Sequence, residues 1–452
     1  MAVEHRGLLI PDTPNHRPTA SAAAPAKPFR GPKRYQRYSP TSSNGPEPSS
    51  AKPPSPSRPQ DELVESFNFL EERFGRNLNL SLVERAKSAI CRRIAGSLTH
   101  ECDSDTTLAA SQEAEAPNSR GVQSLGEDDV YLFPTGMNAI FHAHRTLLSA
   151  LGHRESVNFG FPYVDTLKIL QKFGPGCVFY GHSSAEDLDD LEKSLKDGKR
   201  FLGLFCEFPG NPLLTCPDLQ RIRRLADAYD FAVVVDETIG TFANINVLQY
   251  ADIVVSSLTK IFSGDSNVMG GCAVLNPESK YHTSLKRVMD TEVYEDAYWP
   301  EDIVFLERNS RDFGSRVKRT NMNAEAICDM LKEHPAVKSL YYPKYNPSRP
   351  CYDACRLPAG GYGGLVSCVF HKQRQAQVFY DTLDTAKGPS LGTNFTLCSP
   401  YVLLAHYNEL SWASQYGVDP DLVRISVGLE ETSHLQDLFR VALEAAAAVS
   451  AD

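Results

Sequence analysis

Three apolar runs in this chain each end on polar residues, and those residues set the chemistry it could perform. Phe231-Ala-Val-Val-Val235 ends in Asp236, Phe201 to Glu207 leads into Pro209-Gly-Asn211-Pro212, and Ala251 to Val255 leads into Ser256-Ser257-Leu258-Thr259-Lys260. In an open parallel sheet, ligands collect at the carboxyl ends of the strands, where loops converge and helix N-termini point inward. Singly, each feature has an ordinary explanation: a helix cap for the Asp, a turn for Asn-Pro, a solvated lysine. Together they bring a carboxylate, an amide, hydroxyls and one amine to a single edge. Upstream, Thr135-Gly136-Met137-Asn138 opens the helical tract Ala139 to Leu151. A helix start presents free backbone N–H groups to an anion, and a glycine there lets a phosphate approach closely.

The elements that position these groups follow from texture. After Asp128, short apolar runs alternate with helical patterns, as in a parallel sheet with covering helices. Strands are expected at Phe201–Cys206, Phe231–Val235 and Ala251–Val255, with a helix over Pro217–Tyr229 between the first two. A long helical tract, Asp302 to Glu333, leads to a smaller C-terminal unit with a strand near Gly364–Phe370 and a helix over Thr432–Val449. The divisions read as a flexible Pro/Ser-rich leader (1–61), an N-terminal arm with a helix from Leu82 to Ile94 (62–100), a polar surface loop or disordered insert (101–127), a large domain (128–315) and a small α/β domain (316–452).

Bulk properties exclude several functions. The net charge of −10, from 56 acidic and 46 basic residues without long like-charged blocks, leaves no footprint for nucleic acid. No apolar run reaches the roughly 20 residues needed to cross a bilayer, so a soluble cytoplasmic protein is expected. Eleven cysteines, an odd number, fit reduced thiols better than a disulfide framework. Cys351 and Cys355 lack partners at zinc-site spacing, so no metal is expected.

An amine for an imine, a carboxylate for a ring nitrogen, and hydroxyls with backbone amides for a phosphate are the requirements of pyridoxal 5′-phosphate (PLP). The segment Ser257-Leu-Thr259-Lys260-Ile-Phe-Ser-Gly264-Asp265-Ser266-Asn-Val-Met-Gly270-Gly271 resembles the cofactor-lysine motif of the Cys/Met-metabolism family of PLP enzymes. The family's order is kept in Thr135-Gly136-Met137, Tyr163, Asn211-Pro212, Asp236, the lysine motif, Ser390-Leu391-Gly392 and Arg424-Ile-Ser426-Val-Gly428-Leu-Glu430, from about Glu71 to Ala447.

The resemblance implies the fold type I PLP-dependent transferase fold: an α/β architecture with a mainly parallel seven-stranded sheet plus a smaller C-terminal α/β domain. It implies Lys260 as the Schiff-base lysine and proton shuttle, with Tyr163 stacked on the ring as its catalytic partner. Asp236 would hold the ring nitrogen and Asn211 would lie near the 3′-oxygen. Thr135, Gly136, Met137, Ser257 and Thr259 would bind the phosphate, with an arginine from a neighbouring subunit, for which Arg76 of Phe74-Gly75-Arg76 is preferred to Arg37 of Tyr35-Gln36-Arg37. Arg424 would grip the substrate carboxylate, helped by Ser390, Leu391 and Asn211. A homodimer with shared sites, doubled to a tetramer, follows.

The likeness is greatest to fungal-type cystathionine γ-synthases, in Gly388 to Thr396 and Ser399 to Tyr407. It implies γ-replacement on an O-acyl-L-homoserine, the acetyl ester first, through a vinylglycine ketimine, with cysteine adding to give cystathionine. Phe74, where the family carries Tyr, and Pro389, where it often carries Glu, keep open a carbon nucleophile such as a β-keto acid enolate. Cystathionine lyase activity and a non-catalytic structural role are the remaining alternatives; an intact Lys260, Asp236 and Arg424 weigh against the last.

Overall fold

The computed structural model describes residues 80–97 and 119–449. The expected leader, Arg76 and Phe74 lie outside the described residues, as do residues 101–118 of the expected polar loop.

Among the described residues, twelve strands form two sheets. The first contains β1 (Val130–Phe133), β2 (Ser156–Phe159), β3 (Cys177–Tyr180), β4 (Gly203–Glu207), β5 (Ala232–Asp236), β6 (Ile253–Ser256) and β7 (Gly271–Leu275), in the order β1-β7-β6-β5-β4-β2-β3. The run from β3 to β6 is parallel, and β7 is antiparallel to both its neighbours. The mainly parallel seven-stranded sheet anticipated above is therefore present. The second sheet, β8 (Val337–Tyr341), β9 (Leu365–Phe370), β10 (Ala386–Lys387), β11 (Leu397–Pro400) and β12 (Val423–Ser426), runs β10-β11-β12-β9-β8 and is antiparallel apart from β10 with β11.

The helices in chain order are α1 (Val83–Ile94), α2 (Gly136–Leu151), α3 (Val164–Lys172), α4 (Ala185–Lys196), α5 (Leu219–Tyr229), α6 (His282–Val288), α7 (Pro300–Ser310), α8 (Phe313–Glu333), α9 (Arg349–Cys355), α10 (Gln373–Thr382), α11 (Tyr401–Ala405), α12 (Leu410–Gln415) and α13 (Thr432–Ala447). Their starts carry side-chain caps where the chain must turn from a strand or loop into a helix: Thr135 Oγ1 accepts from the Asn138 N–H, Ser184 Oγ from Asp187, and Asp218 Oδ1 from Arg221. Among the described residues no helix is long and apolar enough to cross a membrane.

Both faces of the first sheet are buried. Val233 and Val235 of β5 join one core with Ile222 and Leu225 of α5, whereas Ala232 and Val234 join another with Ala139, Ala143 and Leu147 of α2. This period of two on a doubly covered sheet explains the unbroken apolar runs. β4, β5 and β6 start later than those runs and end on a polar residue, because pairing sets their limits: Gly203 aligns with Ala232, and Glu207 with Asp236. The α13 helix packs on α8 and α10 over the second sheet, and α1 packs on α7.

Two expectations are corrected. Asp302 to Glu333 is not one helix: α7 ends at Ser310 and α8 begins at Phe313. Arg316 of α8 donates to the Asn309 carbonyl (2.9 Å), satisfying an α7 C-terminal group, and Arg311 at the break pairs with Glu307 (2.7 Å). The end of the expected surface loop is also interior, since Arg120 is 1% exposed and makes two bonds to Glu237, at 2.8 and 3.1 Å.

Candidate active site

The carboxyl ends of β4, β5 and β6 open onto a cavity of about 310 Å³. Thr135, Gly136, Met137, Tyr163, Asn211, Asp236, Ser257, Thr259, Lys260 and Leu391 all line it. The structure thus brings together residues spread over some 250 positions of sequence. Ser390 and Arg424 adjoin this group: Lys260 Nζ donates to Ser390 Oγ at 3.0 Å, and Arg424 Nη2 donates to the Ser390 carbonyl at 3.0 Å. The amine and the guanidinium therefore meet across one residue.

Lys260 sits in the turn after β6. Burial lowers its amine below the ordinary lysine value, and the positive charge of Arg424 lowers it further. This favours the neutral, nucleophilic form. The turn is held from outside the cavity by Arg316, which donates to the carbonyls of Ile261 (3.0 Å) and Phe262 (2.8 Å).

Asp236 accepts from the Thr238 N–H at 2.9 Å, and Thr238 Oγ1 in turn accepts from Ser257 N at 2.8 Å. Beside it Glu207 accepts from the backbone N–H groups of Tyr163 and Asn211 (3.2 Å for the latter). Both carboxyls are partly accessible from the cavity, yet protein encloses them densely. Burial pushes both Asp236 and Glu207 above the usual carboxylate range, and the nearby Asp236 charge adds to the rise at Glu207.

Arg424 projects from β12 and is 2% exposed. Its partners are all neutral: Asn211 Oδ1 (3.0 Å), the Pro389 and Ser390 carbonyls, and the Tyr401 ring, 4.2 Å below the guanidinium carbon. Burial pushes its pKa down to about 10. Among the described residues no carboxylate pairs with it. Tyr401, whose hydroxyl accepts from Asn211 Nδ2 at 2.9 Å, completes this end of the site.

At the other end, Gly136 begins α2. A Cβ on residue 136 would lie 2.7 Å from Ser257 Cβ and 3.1 Å from its Oγ, so only glycine lets the helix start press against Ser257. Free N–H groups of a first turn and a serine hydroxyl thereby share one corner, a donor set suited to a phosphate. Thr259 contributes less than expected: its hydroxyl donates to the Gly270 carbonyl and accepts from the Gly270 N–H. The donor set fits PLP: an amine and a carboxylate that line the same cavity, and an anion corner.

A sequence profile of Cys/Met metabolism PLP-dependent enzymes matches residues 123–444. The chain belongs to that family. Its cofactor is pyridoxal phosphate, and it is an enzyme of the cystathionine γ-synthase-like, transferase-type group. It is 61% identical over 450 residues to a cystathionine γ-synthase of Neurospora crassa, covering 97% of this chain and 72% of that protein. It is 46% identical over 390 residues to a cystathionine γ-synthase-like enzyme, iboG1, of Amanita muscaria, covering 80% of this chain and 64% of the relative. Among solved structures, a cystathionine γ-synthase of Xanthomonas oryzae pv. oryzae with aminoacrylate and cysteine superposes with a TM-score of 0.63 at 20% identity, covering 83% of this chain and all of that one. At that identity the likeness speaks for the fold alone.

Glu207, Tyr401 and Arg316 were not singled out by sequence reasoning as site residues. For Glu207 a signal existed, since it ends its apolar run as Asp236 ends its own. Tyr401 lies in the Ser399–Tyr407 stretch that carries the family likeness but was given no role there, and Arg316 stands in a tract with no motif of its own.

Proposed function

We propose that this enzyme carries out γ-replacement on an O-acyl-L-homoserine, the acetyl ester first, with cysteine as the incoming nucleophile and cystathionine as product. The observation that carries this reading is the convergence of Lys260 with the Pro389-Ser390 turn that Arg424 holds. An α-amino acid needs its amine and its carboxylate recognised one carbon apart, and this site offers an amine-handling lysine beside an unpaired guanidinium. The 61% identity to a cystathionine γ-synthase supports the choice of reaction.

When bound, pyridoxal phosphate supplies an electron-withdrawing pyridinium that acidifies the substrate's α and then β C–H bonds. Asp236 holds a proton on the ring nitrogen, the anion corner at Gly136 and Ser257 anchors the phosphate, and Tyr163 covers the ring. Arg424 fixes the substrate carboxylate with two charge-assisted hydrogen bonds. Lys260, freed as a base, removes the α-proton and then helps remove a β-proton, so that the acyl group leaves the γ-carbon as a carboxylate. The cysteine thiol gives up its proton, which balances the departed carboxylate, and its sulfur bonds to that carbon, while the α and β protons return through Lys260. Arg76 from a second copy of the chain completes the phosphate site, so the working unit is at least a dimer, and two dimers make a tetramer acting in the cytosol.

Incubation with O-acetyl-L-homoserine and either cysteine or acetoacetate, followed by mass spectrometry, tests the reading. Cystathionine is expected, whereas a carbon-linked product would replace the nucleophile and no consumption of the ester would end the proposal. Mixing inactive Arg76→Ala and Lys260→Ala subunits restores activity if sites are shared, and no recovery after confirmed exchange refutes the sharing.

A further inference from the structure

Two loops bring different parts of the site together, and one side chain joins them. The loop after β2 carries Tyr163, and the loop after β4 carries Asn211. Asn211 has both ends of its amide committed, Oδ1 to Arg424 and Nδ2 to Tyr401, so its backbone position sets where the guanidinium can rest. Glu207, on the last position of β4, accepts from the Tyr163 N–H with Oε1 and from the Asn211 N–H with Oε2. Register fixes it beside Asp236.

We infer that Glu207 is a positioning residue that sets the ring-covering Tyr163 and the Asn211–Arg424 pair against Asp236 through one two-oxygen carboxylate. The geometry requires two acceptors. A glutamine offers a single carbonyl oxygen, and its amide N–H₂ would face one of the two backbone N–H donors. An aspartate keeps both acceptors but is a methylene too short to reach both loops. The enclosure of Glu207 next to a second carboxyl gives the chain no stabilising reason to place a charge here, whereas two loops that need one anchor do. The inference rests on Tyr163 and Arg424 as cofactor and substrate contacts, and it is independent of which nucleophile is used.

The test uses the full-length holoenzyme and its Glu207→Gln and Glu207→Asp variants. Hydrogen–deuterium exchange is measured for the amides of Tyr163 and Asn211, with visible circular dichroism of the bound cofactor as the reporter of ring orientation. In Glu207→Gln, exchange at one of the two amides at least should quicken by about tenfold or more, since the single carbonyl oxygen can accept from only one of them. The cofactor dichroism should change in the same variant, and KM for the amino-acid substrate should rise by a larger factor than kcat falls. Glu207→Asp should likewise leave protection at only one of the two amides. A folded Glu207→Gln with unchanged exchange and unchanged dichroism overturns the inference. If that variant does not fold, wild-type exchange decides: amides at Tyr163 and Asn211 that exchange as fast as exposed loop amides overturn it, and protected ones support it. Failure of the γ-replacement reading would leave the exchange and dichroism results intact.

Discussion

Two buried arginines divide this molecule by purpose. Arg120 and Arg424 are 1% and 2% exposed, yet Arg120 faces the Glu237 carboxylate with two nitrogens while Arg424 meets only carbonyls, an amide and an aromatic face. Burying a guanidinium costs desolvation that a paired carboxylate largely offsets. At Arg424 that offset is missing, and its depressed pKa records the deficit. A site that keeps a charge under such conditions is arranged for an anion that arrives from outside. Arg120 is architecture, tying the segment before β1 to the end of β5, and in the proposed function Arg424 is recognition.

The largest separation should come from activity. Arg424→Met should lower kcat/KM by about 2–5 kcal/mol, roughly 30- to 4,000-fold, as expected for removing one partner of a desolvated charge pair. Its unfolding midpoint should move less than that of Arg120→Met. A small kinetic effect would break the distinction.

Arg120→Met should instead cost about 3–5 kcal/mol of stability, because it strands the Glu237 carboxyl in the interior. Urea or thermal unfolding would register this, with KM unchanged in the protein that remains folded. Adding Glu237→Leu should recover most of that loss, since an apolar pair of similar volume commonly replaces a buried ion pair at little cost. No recovery would mean that the pair also supports the adjoining Asp236.

The smallest effect concerns pH. Lys260 titrates below its ordinary 10.5 in the folded protein, so between that lowered value and 10.5 the unfolded chain binds more protons. Stability from this group therefore rises with pH across that window. The rate at which cofactor-free protein captures PLP should rise with pH and level off below 10.5. Arg424→Met should move that plateau upward by removing a positive neighbour, and Arg120→Met should leave it in place.

Legibility in the sequence followed how local the cause was. The strands that end at Glu207 and Asp236, and the one that leads into the Lys260 turn, were visible because a doubly covered parallel strand must be continuously apolar and must stop where the ligand edge begins. Lys260 and Asp236 were readable from position, whereas Arg424 was reached only through family likeness, since β12 is four residues long and antiparallel. The break between α7 and α8 has only Gly314, inside the first turn of α8, near it in sequence. It depends on Arg316 reaching back to Asn309 and on Arg311 pairing with Glu307, contacts that appear only once the chain is folded. Arg120 was hidden for the same reason, being a charge in a polar tract whose partner lies 117 positions away.

The most direct test of Arg424 as the waiting half of an ion pair compares O-acetyl-L-homoserine with the matching amine that lacks the carboxylate. On wild-type holoenzyme, kcat/KM for the amino acid should exceed that for the amine by roughly 30-fold or more, the low end of a desolvated charge pair. In Arg424→Met that ratio should collapse toward one. A ratio that survives the substitution would place carboxylate recognition elsewhere and contradict the account.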